Sequence, residues 1–355
     1  MRLFAVTKIP ELVRWGRTAE SDEGASLSLF WTASGVELLC RASDLILEAE
    51  ALYGGQELWA DVLIDGELSQ RIRLPKGVSR IPVFTGMDGT KTRRVRFLRD
   101  TQAMPGDAVS VLKIRSLETD DGAEFLPVPA PALRLEIIGD SLTSGEGAGL
   151  EKQEEWVPAV FSAVESYAYE TAELLDARVN VISNSGWGLY ASYDANTECA
   201  IPLYYNEVCG LLKGEANAGA GAQRDWDFGA FETDVIVVNL GTNDSGAIKA
   251  SDNWTKEEYH ALFIEAGVSF LKTLLSRNPH AQILWAYGML DHELEPQILS
   301  AIEHVKRETG ENRVHYCSLP QCDAPLLGAR FHPNREAHRQ TAALLAREIR
   351  RIAAV

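Results

Sequence analysis

The hydrophobic pattern of this chain changes at residues 127–131, a segment in which three prolines occur within five positions. Each proline fixes its own φ and disfavours helix in the residue before it, so the segment predicts a stiff, extended connector. Before it, apolar residues come in short runs separated by turn residues. After it, such runs alternate with longer segments of helical periodicity. A chain of 355 residues is long for one core, and the change in period predicts two domains of different fold.

The first domain is predicted to be an all-β, jelly-roll-like sandwich over residues 1–126. Its apolar runs are short and rich in Val, Ile and Leu, mainly from residue 26 onward. Asp65 and Gly66 stand between two such runs, which is a strong local signal for a hairpin. We place the linker at residues 127–133.

The second domain, residues 134–355, is predicted to be α/β. Its buried-type strands are expected at residues 135–138, 179–183, 235–240, 282–287 and 314–317. Helices are expected near residues 161–175, 256–275, 297–307 and 335–351. This alternation predicts a three-layer α/β/α domain with a parallel sheet. Ligands of such sheets bind beyond the carboxyl ends of the strands.

Ser141 lies on the turn directly after the first of these strands, which ends at Gly139. A serine there can present its hydroxyl at the mouth of the sheet, close to backbone N–H groups of the turn. The alternative is that Asp140 or Ser141 only caps the next helix. Neither a G-x-S-x-G elbow nor a G-x-G-x-x-G dinucleotide motif surrounds this serine.

Gly186 and Asn243 follow the next two strands. A glycine at a strand end lets the backbone N–H approach a ligand closely, although Gly186 could also be an ordinary turn residue. The side-chain NH₂ of Asn243 can donate to an oxyanion. The alternative is an Asx-turn built by Asn243 or Asp244.

His332 is the best candidate for a general base among the seven histidines. It follows the last predicted strand and so returns to the same sheet edge, and Pro333 stiffens its position and starts the next helix. The other histidines lie in helical segments, at ordinary turns or in a strand: His260, His304, His338, His280, His292 and His315.

In this order, the four segments resemble the motif blocks of the GDSL/SGNH hydrolase superfamily, which contribute Ser, Gly, Asn and His. The matching positions here are Ser141, Gly186, Asn243 and His332, and the resemblance extends from residue 135 to the C-terminus. It implies ester hydrolysis through an acyl-enzyme on Ser141, with His332 as base. It also implies an oxyanion hole made by the Ser141 and Gly186 N–H groups and the Asn243 side chain, and no metal or organic cofactor.

A finer resemblance covers the whole chain. A β-sandwich ahead of the hydrolase domain is similar to the arrangement in carbohydrate esterase family 2, which removes acetyl groups from plant polysaccharides. The segments 185–190, 201–205 and 226–228 are similar as well. The resemblance implies an oligosaccharide ester as substrate, such as an acetylated xylo-, gluco- or manno-oligosaccharide. From their positions in or near the motif loops, we expect substrate contacts at Trp187, Tyr190 and Asp140, although such aromatic residues also serve as core or rim packing. Tyr204, Tyr205 and Trp254 could join a sugar platform or belong to the core.

One position departs from the superfamily pattern. An aspartate usually stands three residues before the histidine, but this chain has Ala329 there. Family 2 esterases often lack the aspartate and use a Ser–His dyad, so a dyad is expected here. The other ring N–H of His332 still needs an acceptor, and we expect a backbone carbonyl from residues 328–330. Asp323 and Asp291 are poorer candidates.

The composition limits the partners. A formal net charge of -17 argues against nucleic acid or an anionic membrane surface as the main partner. Residues 1–8 lack the apolar core of a secretory signal, no apolar stretch is long enough to span a bilayer, and the five cysteines are scattered. We therefore expect a cytoplasmic protein with reduced thiols, although removal of a signal peptide would leave the same sequence.

Two other functions remain open at this stage. One is an esterase or thioesterase for lipid or acyl-CoA chains, which would need a long apolar channel. The other is a carbohydrate-binding protein with a vestigial hydrolase domain, against which the intact Ser141, Asn243 and His332 argue. The oligomeric state cannot be read from the sequence.

Overall fold

The computed structural model describes residues 1–21, 25–150, 152 and 155–354. The chain forms two compact units. The sandwich unit comprises Met1–Ala130, Val157–Ala159 and Asn206–Trp226, and the α/β unit comprises Pro131–Trp156, Val160–Tyr205 and Asp227–Val355. The first unit ends within the proline-rich segment. The two later segments of the sandwich unit carry no sequence signal that separates them from their neighbours.

Within the sandwich unit, the strands pair antiparallel throughout. They are β1 (Arg2–Ala5), β2 (Val13–Trp15), β3 (Thr18–Glu20), β4 (Leu27–Leu29), β5 (Gly35–Arg41), β6 (Leu45–Tyr53), β7 (Leu58–Ile64), β8 (Glu67–Leu74), β9 (Gly77–Phe84), β10 (Thr92–Arg99), β11 (Ser110–Thr119) and β12 (Glu124–Leu126).

These strands form two sheets, as the sequence predicted. One has the order β3-β4-β11-β6-β9 with β1 also on β11, and the other has the order β12-β5-β10-β7-β8 with β2 also on β5. Strand β6 alternates buried and half-buried residues along most of its length, so one face of the strand lies in the core. That core contains Leu47, Val62, Phe97 and Leu112 among others. The Asp65-Gly66 hairpin is present between β7 and β8, with φ of 54° and 89° at the two turn residues.

Buried hydrogen bonds hold residues 206–226 in the sandwich unit. The Trp31 indole N–H donates to the Val208 carbonyl over 2.6 Å. The Ser110 N–H donates to the Asn217 side chain over 2.9 Å. Because these partners are more than a hundred residues apart in sequence, no local pattern predicts that the chain returns here.

The α/β unit carries a parallel sheet with the order β14-β13-β15-β16-β17. Its strands are β13 (Leu133–Gly139), β14 (Ala177–Ser183), β15 (Val235–Asn239), β16 (Gln282–Tyr287) and β17 (Val314–Ser318). The helices of the chain are α1 (Tyr167–Leu174), α2 (Glu215–Gly219), α3 (Thr242–Ala250), α4 (Lys256–Arg277), α5 (Glu295–Thr309) and α6 (Arg335–Ala353), of which α2 belongs to the sandwich unit. Helix α1 packs with α6, and α4 packs with α5.

The chain order reverses direction across the sheet at β13, which lies between β14 and β15. A crevice forms at such a switch point, at the carboxyl ends of the strands. Ser141, Gly186 and Asn243 follow these three strands directly, so the topology brings the first three predicted site segments to one edge.

One predicted helix begins later than expected, and one helix was not predicted. Helix α1 begins at Tyr167 and not near residue 161, because the Ser166 hydroxyl accepts from the Tyr169 N–H and caps the helix there. Phe161 instead forms an isolated antiparallel bridge with Glu146. Helix α3 was not predicted, and it places Asn243 and Asp244 in its first turn.

Within the part of the chain that the structure describes, no helix has both the length and the apolar character needed to cross a membrane.

Candidate active site

Ser141 and His332 lie together at the carboxyl edge of the sheet. The Ser141 Oγ is 3.0 Å from His332 Nε2, which is hydrogen-bond distance, although the residues are 191 positions apart in sequence. Ser141 is buried and His332 is mostly buried. This is the geometry that a nucleophile and its base require before substrate arrives.

The other imidazole nitrogen of His332 meets a backbone carbonyl. His332 Nδ1 lies 2.9 Å from the Arg330 carbonyl oxygen, one of the three carbonyls expected from the sequence. Since a carbonyl only accepts, Nδ1 carries the proton and Nε2 presents its lone pair to Ser141. Asp291 instead accepts from the Tyr287 hydroxyl and the Glu293 N–H, and Asp323 precedes a short 3-10 turn, so neither orients this ring.

The loop that carries His332 is tightly folded. Arg330 and Phe331 both have positive φ, 56° and 59°, which is costly for residues with a side chain. The Gly328 N–H donates to the His332 carbonyl over 2.6 Å, and Leu327 bridges to Pro333. The surrounding bonds hold the strained turn that aims the imidazole at Ser141.

A buried carboxylate that the sequence analysis did not select lies beside this pair. Glu146 Oε2 is 3.8 Å from His332 Nε2. Arg330 Nε donates to Glu146 Oε1 over 2.7 Å, and the Ser185 hydroxyl donates to Oε2 over 2.6 Å. The one sequence signal that pointed to Glu146 was its position inside the glycine-rich loop that follows Ser141.

Two backbone amides are available for an oxyanion. Neither the Ser141 N–H nor the Gly186 N–H donates a hydrogen bond to any described residue. Gly186 has φ of 79°, and a Cβ there would lie 3.1 Å from the Tyr193 ring, so a side chain would be strained at this position. These are the two amides that the sequence analysis assigned to an oxyanion hole, and that role stays a prediction.

Asn243 lies at the same edge, but its amide is already engaged. Its Nδ2 donates to Asp140 Oδ2 over 3.2 Å and to the Trp187 carbonyl over 2.9 Å. An amide nitrogen has two hydrogens, so both donors are used in this arrangement. Donation to an oxyanion would require one of these bonds to open.

Asp140 is completely buried, which does not fit the prediction that it contacts substrate. Its Oδ1 accepts from the Leu142 N–H over 3.0 Å, and its Oδ2 accepts from Asn243. Burial raises the pKa of Asp140 to about 7, and the negative charges of Asp244, Glu146 and Asp291 add to the rise. The side chain braces the turn under Ser141.

Asp244 organises the loop that follows Gly186. Its carboxylate accepts from the backbone N–H groups of residues 189–191 at 2.7, 2.8 and 3.2 Å, and from the Tyr259 hydroxyl at 3.1 Å. Burial raises its pKa despite these donors. Asp244 therefore binds the loop after Gly186, in place of the local Asx-turn that the sequence also allowed.

The predicted aromatic residues lie in three different environments. The Trp187 ring pairs with Tyr204 at a centroid distance of 5.5 Å. Tyr190 packs edge-on against Tyr259 and Trp254, in a cluster where Tyr259 is buried and the other two rings are half-buried. Tyr205 is fully buried, and its hydroxyl donates to Glu136, so it belongs to the core.

Two exposed rings near the motif loops were not among the predicted site residues. Tyr193 is 60% exposed and lies over Gly186, with its N–H donating to the Gly186 carbonyl. Phe331 is 77% exposed and directly precedes His332. Phe331 is also held at φ of 59°, a backbone conformation that its sequence context does not indicate.

The described residues contain no group of three or more His, Cys, Asp or Glu side chains arranged to hold a metal ion. All five cysteines are unpaired thiols.

Comparison with known proteins gives consistent matches. Residues 137–340, more than half of the chain, match the GDSL-like lipase/acylhydrolase family. An acetylxylan esterase/glucomannan deacetylase of Cellvibrio japonicus (strain Ueda107) is 28% identical over 351 residues, which cover 97% of this chain and 89% of that protein.

Solved structures match over both units. An acetyl xylan esterase from the rumen bacterium Butyrivibrio proteoclasticus has a TM-score of 0.94 and 32% identity, covering 99% of this chain and 98% of that one. A family two carbohydrate esterase from Cellvibrio japonicus has a TM-score of 0.81 and 24% identity, covering 99% and 98%, and shows the same fold.

Proposed function

Because the chain belongs to the GDSL-like lipase/acylhydrolase family, we propose that it is a carboxylic ester hydrolase that removes O-acetyl groups from xylo-, gluco- or manno-oligosaccharides. The observation that carries the proposal is the 3.0 Å approach of His332 Nε2 to Ser141 Oγ. The relatives named as acetylxylan esterase and glucomannan deacetylase support the substrate class.

The proposed reaction proceeds through an acyl-enzyme. His332 Nε2 takes the proton of Ser141 as Oγ attacks the acetyl carbonyl carbon. The C–O bond to the sugar then breaks, and the imidazolium gives its proton to the departing sugar oxygen. In the second half, His332 deprotonates water, which attacks the acyl carbonyl and releases acetate. Ser141 recovers its proton from the same imidazole.

The negative charge that develops on the acetyl oxygen needs donors. The Ser141 and Gly186 N–H groups supply two, and their lack of other acceptors among the described residues supports this role. Asn243 becomes a third donor when its amide releases Asp140 or the Trp187 carbonyl.

We propose a Ser–His dyad in place of a triad. With Ala329 at the usual aspartate position, the Arg330 carbonyl takes over the orientation of the imidazole. A carbonyl oxygen fixes the tautomer but brings no full charge.

For the sugar, we propose a platform made by three aromatic rings near the pair, of which one is largely buried and two are exposed. Trp187 is 9% exposed, and Tyr193 and Phe331 are largely exposed. Aromatic rings provide broad, rigid contact area for an amphipathic ligand. The cytoplasmic location and the absence of nucleic-acid or membrane partners remain predictions from composition.

The test is an activity series on the purified protein. We expect fast turnover of p-nitrophenyl acetate, a steep fall through butyrate to palmitate, and acetate release from acetylated xylo- or gluco-oligosaccharides. Ser141→Ala should lower kcat at least about a thousandfold, because it removes the hydroxyl that His332 Nε2 approaches at 3.0 Å. Ser276→Ala, an exposed serine on α4, is the matched control and should leave activity unchanged.

Two results would overturn the proposal in different ways. Comparable activity in Ser141→Ala would remove the nucleophile assignment. Preference for palmitate over acetate would favour the lipid or acyl-CoA esterase instead.

A further inference from the structure

The aspartate of a Ser-His-Asp triad has two roles, orienting the imidazole and stabilising the imidazolium that forms during the reaction. The Arg330 carbonyl accounts for the first role only. A buried, negatively charged group that could supply the second lies on the opposite side of the ring, at Glu146.

We propose that Glu146 and Arg330 together replace the missing aspartate as positioning residues. Glu146 places a negative charge beside Nε2 of His332, and its ion pair with the Arg330 side chain holds the carbonyl that orients Nδ1. This inference rests on the proposed function, since it assigns the residues that prepare His332 for that reaction.

The first support is the location of the Glu146 carboxylate. It is 1% exposed and 3.8 Å from His332 Nε2, close enough to favour a positive charge on the ring but too far for a hydrogen bond. Ser185 donates to the same oxygen, Oε2, from the loop that carries Gly186. The carboxylate therefore joins the nucleophile loop, the oxyanion loop and the base.

The second support is the strained conformation of Arg330. Its φ of 56° aims its carbonyl at Nδ1 of His332, and such a conformation persists only where neighbouring contacts hold it. The bond from Arg330 Nε to Glu146 Oε1, at 2.7 Å, is one such contact. One residue thus orients the base through its backbone and binds Glu146 through its side chain.

The third support is the close approach of the two loops. Gly147 has φ of 95°, and a Cβ there would lie 2.7 Å from the His332 Cβ and 2.8 Å from the Pro333 carbonyl. Glycine at this position lets the Glu146 loop contact the histidine loop directly.

The charges that face His332 set the expected pH behaviour. They are the Glu146 carboxylate and the Arg330 guanidinium; His338, whose pKa burial lowers to about 3, adds no charge near neutrality. Asp140, next to Ser141 in the chain, and Asp244, which binds the loop after Gly186, are further buried titratable groups at this edge. The imidazole must be neutral to act as base, so the acid limb of kcat/KM against pH follows the pKa of His332.

The decisive experiment uses two variants with opposite expected shifts. Glu146→Gln removes the negative charge, so the acid limb should move to lower pH by about one unit, and kcat at its optimum should fall about tenfold. Arg330→Asn keeps a residue type that tolerates positive φ but removes the guanidinium. Arg330→Asn leaves the Glu146 carboxylate without its Arg330 ion-pair partner. The acid limb of this variant should therefore move to higher pH.

Two further variants complete the series. Glu146→Gln combined with Arg330→Asn should return the limb toward its original position while kcat stays low. Glu165→Gln is the matched control, because it removes a carboxylate paired with Arg335 and not with the pair around His332. Its pH profile should be unchanged.

The outcomes separate this inference from the proposed function. If Ser141→Ala is inactive but neither acid limb moves, the inference is wrong and the esterase assignment stands. If Ser141→Ala stays active, the proposed function itself fails. If the variants lose kcat and melt at a lower temperature but their acid limbs do not shift in opposite directions, Glu146 and Arg330 have only a structural role. If Glu146→Gln does not fold, the direction of the Arg330→Asn shift decides alone.

Discussion

Two aspartates, one in each unit, each accept hydrogen bonds from three consecutive backbone N–H groups, but their pKa values shift in opposite directions. In the sandwich unit, Asp107 accepts from the backbone N–H groups of residues 54–56 at 2.6, 2.9 and 3.0 Å. In the α/β unit, Asp244 accepts from those of residues 189–191 at similar distances. Burial opposes ionisation at both. The donors prevail at Asp107 and its pKa is lowered, whereas burial prevails at Asp244 and its pKa is raised.

The difference shows how burial decides what a bound carboxylate contributes. Asp107 keeps 8% exposure and Asp244 keeps none. Asp244 also lies among other carboxylates, including Asp140, whose pKa burial raises to about 7. A cluster of buried, shifted carboxylates is typical of a functional site, whereas the sandwich carboxylate stabilises a turn. Four experiments test this difference between the two aspartates.

The largest expected difference is in activity. Asp244→Asn should lower kcat/KM for acetyl esters about thirtyfold, since a neutral amide cannot accept from all the N–H groups that hold the loop after Gly186. Asp107→Asn, with the matched chemical change, should stay within about twofold of wild type. Equal losses in the two variants would contradict the assignment of Asp244 to the site.

The second difference is in stability at neutral pH. Asp107→Asn should cost about 2 kcal/mol in the free energy of unfolding, because it weakens charge-assisted bonds to the turn. Asp244→Asn should cost less, about 1 kcal/mol, because it also removes the desolvation of a fully buried charge. Urea unfolding, with hydrogen exchange in strands of each unit, would measure both. A larger cost at Asp244 would reverse the comparison.

The third difference is in the sign of the pH dependence. A lowered folded-state pKa stabilises above the unfolded value, near pH 4, so the advantage of wild type over Asp107→Asn should shrink as the pH falls below that value. A raised folded-state pKa costs stability as the pH rises above the unfolded value. The advantage of wild type over Asp244→Asn should therefore grow as the pH falls from 7 toward 4. Slopes of the same sign would rule out this explanation.

The smallest effect concerns the Tyr259 hydroxyl, which donates to the Asp244 carboxylate alongside the three backbone N–H groups. Tyr259 is buried and donates to Asp244 Oδ1 over 3.1 Å. Tyr259→Phe removes this donor without changing the ring, so it should cost about 1 kcal/mol of stability. It should lower kcat/KM by less than about threefold, because three backbone donors remain. Phe263→Leu changes a buried ring on the same helix that makes no bond to Asp244, so it controls for packing. If Phe263→Leu loses as much activity as Tyr259→Phe, the role of the hydroxyl is refuted.

Local patterns in the sequence were enough for the architecture. The five parallel strands start and end within two residues of the predicted bounds, because continuous apolar runs and flanking glycines are local signals. The hairpin at Asp65 and Gly66 was predictable for the same reason. Helix α1 was placed too early because an apolar stretch before its cap, around Phe161, reads as helical until tertiary contacts are known.

Short-range hydrophobic patterning in the sequence was enough to show which segments follow the strand ends and carry polar side chains to the carboxyl edge of the sheet. The strand order and the use of those side chains depend on tertiary contacts. The tertiary structure engaged Asn243 with Asp140, buried Asp140 away from solvent, and set Glu146 against Arg330, 184 residues further along. Hydrogen bonds between distant segments depend on ångström-scale geometry, which residue type and spacing do not specify.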